Sequence, residues 1–313
     1  MNDIVIIGYG SQAKAWAHNF RDSGRNIKIA LRDSSESILV AKEKGFETVL
    51  LSEIQNESGS TFILLTPDHT HLETLEEIYP KLSSGTNIIY AHGYSYTAFS
   101  FKEKFPKFNH LLLAPKAIAS ELRFQYENKG KLGAAYSVED ISKDSKKEST
   151  DLILSIAKDI GITAGPYETS FLEETNADLF SEQSLLCSVL PYGALHAYNK
   201  LRSKGVKREI AYLECWLEVK LIADAMVKMG PIEFFKLISP NALLGGEKAQ
   251  KLLFGEEYHQ KMDSLLNDIW NQDFFTECKG LDFNTLRSSV LERWAKEELT
   301  ETHNELAPEL INK

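Results

Sequence analysis

The stretch "IVIIGYGSQAKAWAHNF" (residues 4–20) decides how the chain begins to fold. Its four β-branched residues predict a buried strand, and the apolar periodicity after Ser11 predicts an amphipathic helix. Between the two lie Gly8, Gly10 and Ala13 in a G-x-G-x-x-A pattern. Gly8 permits a tight turn, Gly10 lets the backbone approach a pyrophosphate, and Ala13 keeps helix and strand close. The sequence therefore predicts a dinucleotide-binding turn in which the helix N-terminus faces an anion.

Strand and helix patterns alternate up to about residue 165, which implies a largely parallel sheet with helices on both faces. The polar residues 139–150 are expected to form a solvated loop, residues 151–161 one further helix, and residues 162–170 the passage out of the sheet domain. Buried strands are predicted at residues 4–7, 27–31, 61–66, 87–91, 110–114 and 134–138.

After about residue 170 strand signals nearly vanish and long apolar-periodic segments take over. The predicted fold class is an α/β Rossmann-type N-terminal domain with a mostly parallel sheet (1–170), followed by an all-α C-terminal domain (171–313). The helical segments are expected around residues 174–201, 207–229, 247–270 and 284–307.

Composition limits the class of function. The 313 residues are 43% hydrophobic and 26% charged, with a net charge of −10, as in a soluble globular protein. Acidic and basic residues are mixed along the chain, which argues against a nucleic-acid surface and favours a small-molecule ligand. No apolar run in the sequence is long enough for a membrane span. The N-terminus also lacks the pattern of a signal peptide. Its three cysteines are isolated, so reduced thiols in a cytoplasm are expected.

The loop after the second predicted strand, "ALRDSSES" (residues 30–37), bears on the choice of cofactor. Arg32 with Ser35 and Ser37 suits the 2′-phosphate of NADPH, whereas Asp33 would suit the ribose diol of NAD. The chemistry of the loop favours NADPH. The alternative is a solvated loop that caps the following helix.

Two pairs of acids stand four residues apart on otherwise apolar helices: Asp178 with Glu182, and Glu214 with Glu218. Like charges at this spacing share one face of an α-helix and destabilise it. A hard divalent cation such as Mg²⁺ takes oxygen ligands and would remove this penalty. The alternative is that these acids lie on solvated faces, and helix periodicity alone leaves both open.

Several stretches resemble the motifs of one family, ketol-acid reductoisomerase, also called acetohydroxyacid isomeroreductase, in its short form with a single helical domain. The resemblance covers almost the whole chain. It rests on "GYGSQ" (8–12), "RDSG" (21–24), "LAPK" (113–116), "ETSFLEETNADLFSEQSLLC" (168–187), "AYLECWLEVKLIAD" (211–224) and "LIS" (237–239).

The resemblance implies a two-step reaction on a 2-acetolactate-type substrate in branched-chain amino-acid biosynthesis. An alkyl group first migrates between adjacent carbons with the help of two Mg²⁺ ions, and NADPH then reduces the rearranged ketone to a 2,3-dihydroxy acid. It also implies a homodimer or larger assembly with shared active sites. Asp178 would bridge both metals and Glu182 would complete one of them. Glu214 and Glu218 would come from the partner subunit, with Glu218 also contacting substrate and helping in proton transfer.

By the same match, Lys116 would orient metal-bound water, Ser239 would bind the substrate carboxylate, and His92 would be the family's active-site histidine. From its place after a strand alone, His92 could equally be a structural hydrogen-bonder. His69, His71 and His196 match no motif and are expected to be surface or helix residues, and Cys187 is expected to be a buried apolar cysteine. The cofactor turn would contribute Gly8, Tyr9, Gly10, Ser11 and Gln12.

The sequence departs from the family around the substrate. "AIASE" (117–121) stands where the family has G-P-G-H, and "PNALLGG" (240–246) replaces N/D-T-A-E-Y-G. The altered loops favour a changed substrate with unchanged metal ligands. Two alternatives stay open at this point: a related NADP-dependent reductase of another 2-keto acid, and a non-catalytic nucleotide-binding homologue.

Overall fold

The computed structural model describes residues 4–55, 60–138 and 143–311. Contacts divide the chain into two compact units, Met1–Ala177 and Asp178–Lys313. The first unit is built on one eight-stranded sheet of order β3-β2-β1-β4-β5-β6-β7-β8. The strands are β1 (Ile4–Ile7), β2 (Ile27–Leu31), β3 (Glu47–Leu50), β4 (Thr61–Leu64), β5 (Asn87–Tyr90), β6 (Asn109–Pro115), β7 (Gly133–Ser137) and β8 (Ala164–Glu168).

All neighbouring strands are parallel except β6 and β7, which are antiparallel. Strand order reverses at β1, which pairs with β2 on one side and with β4 on the other. In open α/β sheets this switch point creates a crevice at the carboxyl ends of the strands, where ligands bind. The glycine turn after β1 therefore lies at the expected place for a cofactor.

Helices cover both faces of the sheet and enclose two apolar cores. One core contains Trp16 and Phe20 from the first helix, and the other contains Phe62, Tyr90 and Phe171; all five are at most 1% exposed. The helices of this part of the chain are α1 (Ser11–Asp22), α2 (Ser37–Glu43), α3 (His71–Ile78), α4 (Tyr94–Ala98), α5 (Phe101–Lys104), α6 (Ala119–Glu127) and α7 (Lys143–Asp159).

The six predicted strands are present, and the structure adds two that the sequence did not indicate. β3 was missed because its "ETVL" is only partly buried and has no continuous apolar run. β8 was missed because "AGPYE" contains Gly and Pro; it occupies the end of the sheet order, where these residues are tolerated. The expected loop at 139–150 is also wrong in part, because α7 begins at Lys143; residues 139–142 lie outside the described residues.

From Phe171 onward the described chain is helical. Two π-helical segments, Glu182–Leu186 and Leu213–Leu217, interrupt it. None of the described helices is both long enough and apolar enough to span a bilayer. The helices are α8 (Phe171–Ser181), α9 (Val189–Ser203), α10 (Arg208–Tyr212), α11 (Glu218–Met229), α12 (Pro231–Leu237), α13 (Pro240–Leu253), α14 (Glu256–Trp270), α15 (Asp273–Cys278), α16 (Phe283–Ala295) and α17 (Glu298–Leu310).

The second unit buries only a small core, around Tyr198, Tyr212 and Leu299. Much of its apolar surface remains exposed: Val227 is 79% exposed, Ile232 70% and Leu252 82%. Exposed apolar surface on this scale usually marks an interaction site.

Candidate active site

The turn between β1 and α1 has the backbone that its glycines predict. Gly8 has a φ of +103°, and a Cβ there would lie 2.8 Å from Thr66 Cγ2 and 3.0 Å from the Leu65 carbonyl oxygen, so a side chain is excluded. A Cβ on Gly10 would meet only open space. Gly10 therefore leaves room for a ligand rather than for a neighbouring element, while Ala13 is fully buried against the sheet.

The first turn of α1 offers backbone amides and carries no acidic residue that would repel an anion. Gln12 is held by its side-chain amide, whose Nε2 donates to the Ala117 carbonyl at 3.2 Å. Tyr9 lines a cavity next to this turn and is 4% exposed. Its hydroxyl has no hydrogen-bond partner within the described residues. Together with Ser11, these residues form a cradle suited to a pyrophosphate.

A cavity extends from this turn towards the loop after β2. Arg32, Ser35 and Ser37 line it. Asp33 does not: its Oδ1 accepts a hydrogen bond of 2.8 Å from the Ser52 hydroxyl. The described side chains give the Arg32 guanidinium no ion-pair partner. The part of the wall formed by this loop therefore presents a cation and hydroxyls, the chemistry that suits a 2′-phosphate, while Glu73 and Glu77 of α3 line another part of the cavity.

Lys116, at the carboxyl end of β6, forms an ion pair with an acid that the motif analysis did not single out. Its Nζ donates to Glu174 Oε1 at 2.6 Å, and the Glu174 side chain is only 2% exposed. The backbone N–H of Gly93 donates to the other oxygen at 2.8 Å. A buried carboxylate is stabilised when charge and hydrogen bonds compensate it in this way.

His92 lies between two carboxylates. Its Nε2 is 3.8 Å from Glu174 Oε2, and its Nδ1 is 3.8 Å from Asp68 Oδ2. Sequence reasoning missed both acids. A signal existed for each: Glu174 continues the four-residue spacing of Asp178 and Glu182 backwards, and Asp68 follows the carboxyl end of β4.

The other histidines behave unequally. His69 and His196 are exposed. His71 is the first residue of α3, in agreement with the expected helix position. Its ring is buried, and hydrogen bonds to Ser95 Oγ at 2.7 Å and to the Thr66 carbonyl at 2.9 Å satisfy both ring nitrogens. Cys187 was expected to be buried and is exposed instead, just after a π-helical segment where the chain leaves regular structure.

The four acids predicted to bind metal lie in or next to the two π-helical segments. Asp178 is on α8 and Glu182 opens the first π-helical segment; Glu214 lies within the second, and Glu218 begins α11. A π turn changes the angle between residues four apart, so the simple shared-face argument needs correction. Such segments occur frequently at functional sites.

Within the described ranges, no three His, Cys, Asp or Glu side chains come together as a metal site. Glu182, Glu214 and Glu218 are exposed, and Asp178 is half-buried. Among the described residues of one chain, the four carboxylates therefore do not converge on a single metal site.

Ser239 is the N-cap of α13. Its Oγ accepts a hydrogen bond of 3.2 Å from the Ala242 backbone N–H. A hydroxyl that accepts through a lone pair still carries its own proton, so capping and ligand binding are compatible. The two divergent loops start helices: α6 begins within "AIASE", and "PNALLGG" forms the first half of α13, with Leu243 and Leu244 exposed.

Comparison with known proteins gives one consistent family. Residues 1–165 match the family model "Acetohydroxy acid isomeroreductase, NADPH-binding domain", and residues 171–310 match "Ketol-acid reductoisomerase, C-terminal domain". A curated relative, the ketol-acid reductoisomerase (NADP(+)) of Clostridioides difficile (strain 630), is 35% identical over 274 residues, which are 87% of this chain and 82% of that protein.

Solved structures agree at the level of the fold. An NADH-preferring ketol-acid reductoisomerase from an uncultured archean superposes with a TM-score of 0.86 at 27% identity, covering 99% of this chain and 95% of that one. A pyrroline-5-carboxylate reductase from Coxiella burnetii superposes with a TM-score of 0.59 at 16% identity, covering 87% and 97%, which shows a shared fold alone.

Proposed function

The chain belongs to the ketol-acid reductoisomerase family, and from this premise we propose how its residues divide the work of the reaction. Its activity is that of the family, in branched-chain amino-acid biosynthesis, and its N-terminal domain is an NADPH-binding domain. The substrate is an acetohydroxy acid of the 2-acetolactate type. The product is the corresponding 2,3-dihydroxy acid.

The cofactor is held by the glycine turn and by the loop after β2. NADPH supplies the hydride for the reductive step. The first-turn amides of α1 bind the pyrophosphate, while Arg32 with Ser35 and Ser37 binds the 2′-phosphate. The open space over Gly10 and the orientation of Asp33 towards Ser52 support this assignment.

Asp178, Glu182, Glu214 and Glu218 hold two Mg²⁺ ions. The donor set fits the ions, because four carboxylates supply the hard oxygen ligands that Mg²⁺ takes. The ions supply Lewis acidity for the alkyl shift. Glu214 and Glu218 serve the active site of a second copy of the chain. The division of the acids into two pairs on two helices, beside exposed apolar surface, supports this sharing.

The cluster of Lys116, Glu174 and His92 carries the proposal, because it concentrates charge at the carboxyl ends of β5 and β6. Lys116 is paired with the Glu174 carboxylate, which accepts from one of the three donors of the ammonium group. The ammonium orients water and substrate oxygens, and His92 acts beside it as a proton-handling group. Glu218 contacts the substrate and moves a proton, while the hydroxyl proton of Ser239 binds the substrate carboxylate.

The proposal is tested by following NADPH oxidation with acetolactate and, separately, with its rearranged keto acid, each with and without Mg²⁺. We expect oxidation with both substrates and a strict requirement for Mg²⁺ with acetolactate. Oxidation with the rearranged keto acid alone would contradict the isomerase step. Inactivity with both substrates, despite measured NADPH binding, would contradict the assignment of catalytic residues.

A further inference from the structure

Asp68 lies where the cofactor cavity meets the Lys116 cluster. It follows β4, and its neighbours Thr66, Pro67 and Thr70 all line the cavity. The turn around it is tight: both the backbone N–H and the hydroxyl of Thr70 donate to the Pro67 carbonyl, at 2.9 Å and 2.7 Å. These hydrogen bonds fix the backbone of Asp68, so its carboxylate projects from a rigid turn.

The Asp68 carboxylate faces two imidazole rings. Oδ1 is 3.7 Å from His71 Nδ1, and Oδ2 is 3.8 Å from His92 Nδ1. Partial burial opposes ionisation of this carboxyl, but the interaction with His92 outweighs it and lowers the pKa of Asp68. Asp68 is consequently an anion at neutral pH.

His71 is an anchor for this arrangement rather than a second acid–base group. The Thr66 carbonyl can only accept, so His71 Nε2 carries the proton and donates to it at 2.9 Å. Nδ1 then accepts from the Ser95 hydroxyl at 2.7 Å. Burial lowers the pKa of His71, which keeps the ring neutral. Through Ser95, it fixes α4, the helix that directly follows His92 and Gly93.

On its other side His92 faces Glu174 at 3.8 Å. The backbone and the ring of this histidine are therefore held from different directions: the chain by Ser95 and Gly93, the ring by two carboxylates. We propose that Asp68 is a positioning residue, which keeps the imidazole of His92 aligned between its own carboxylate and that of Glu174. This inference rests on the proposed role of His92 in the reaction.

A purely structural role fits Asp68 poorly. Its side chain is 39% exposed, and its two imidazole contacts are longer than normal hydrogen bonds. Exposed pairs at such distances add little to the stability of a fold. Replacing the carboxylate by an amide of the same shape should therefore leave folding intact and act on the orientation of His92.

The test is Asp68→Asn, measured in the full-length enzyme with acetolactate, NADPH and Mg²⁺. We expect kcat to fall by about 10- to 100-fold, as when the carboxylate partner of a functional histidine is lost. The KM for NADPH and the thermal midpoint should not change, and Asp68→Glu should restore part of kcat. Glu76→Gln removes an exposed carboxylate from the neighbouring α3 and is the matched control, expected to behave as wild type.

A double-mutant cycle with His92→Gln separates positioning from other roles. If Asp68 acts through His92, the double variant should be no slower than His92→Gln alone. The proposal would be overturned if the losses in kcat of the two single variants multiplied in the double variant. It would also be overturned by an unchanged kcat in Asp68→Asn, or by a loss seen only as weaker NADPH binding. If Asp68→Asn does not fold, the same cycle with Asp68→Glu decides, because it keeps the charge and displaces it. Inactivity of the wild type itself would instead count against the proposed function.

Discussion

Arg32 and Asp33 are adjacent in one loop, yet they have opposite meanings for the cofactor. The structure separates them, since Arg32 lines the cavity and Asp33 accepts a hydrogen bond from Ser52. We expect NADPH to bind more tightly than NADH. Arg32→Ala should narrow this preference by about tenfold or more, since each charge-assisted hydrogen bond contributes about 1.5–3 kcal/mol.

Titration of both cofactors by fluorescence checks this prediction, with Asp33→Asn as the control that should change the preference little. Equal affinities in the unmutated protein would mean that Asp33 governs the loop.

His110 predicts an acid-sensitive fold. It is 1% exposed; Tyr90 donates to its Nδ1 at 2.9 Å, and its Nε2 donates to the Phe105 carbonyl at 3.1 Å. Burial lowers its pKa from 6.5 to about 4. The folded-state pKa is depressed, so the stabilisation is complete above pH 6.5 and is lost as the pH falls towards 4. The full effect is about 3 kcal/mol.

Urea unfolding at about pH 7 and about pH 5 should therefore show a loss of about 2 kcal/mol from this group. The loss should be smaller in His110→Gln, which cannot titrate. An identical pH dependence in both proteins would mean that His110 is not buried as a neutral ring.

The role of a single residue was predictable where the residues that determine it are close to it in the sequence. Gly8 and Gly10 stand in a fixed spacing between a strand and a helix, and their backbone requirements follow directly from that context. Glu174 and Asp68 are different, because their meaning depends on Lys116 and His92, which reach them across distant parts of the chain. Their places in the sequence could single out Glu174 and Asp68 as candidates, but not the partners that give them a role.

At the scale of elements, apolar runs in the sequence predicted the buried strands. They did not predict β3, which is only partly buried, or β8, which contains Gly and Pro. Helix type was also hidden. The sequence predicts helices through Glu182–Leu186 and Leu213–Leu217, but their π geometry was not read from it. Tertiary packing can favour a π turn at a site where local propensity has no preference.

The helices α6 and α13 lead to a prediction on substrate scope. Both begin within the segments that depart from the family, and these segments bring in Ala117, Ala119 and the exposed Leu243 and Leu244. The motifs that carry the proposed metal ligands still match the family. We expect detectable but poor turnover of 2-acetolactate and better turnover of another acetohydroxy or keto acid.

Steady-state kinetics over a panel of such acids measures this. The triple substitution Ala117→Gly, Ile118→Pro, Ala119→Gly should raise the relative turnover of acetolactate; the φ of −66° at Ile118 already suits proline. Acetolactate as the best substrate of the unmutated enzyme would contradict the prediction.

At the scale of the whole molecule, the exposed apolar residues of the second unit predict that another protein surface buries them. Val227, Ile232 and Leu252 are each at least 70% exposed in one chain. We expect a dimer at micromolar concentration that buries more than roughly 2,000 Å². Val227→Glu should weaken it in light-scattering measurements, whereas Leu39→Glu, which places the same charge on an exposed apolar site of the first unit, should not. An active monomer would refute the prediction.

Two inactive variants test most directly whether the carboxylate pairs of two copies complete one another's sites. Lys116→Met and Glu214→Gln should each abolish activity in a homodimer. Differently tagged chains allow the mixed dimer to be purified and assayed with acetolactate, NADPH and Mg²⁺. If Glu214 serves the partner's site, one of the two sites is free of both substitutions, and the mixed dimer should recover about half of the wild-type rate. A mixed dimer as inactive as its parents would contradict the shared site.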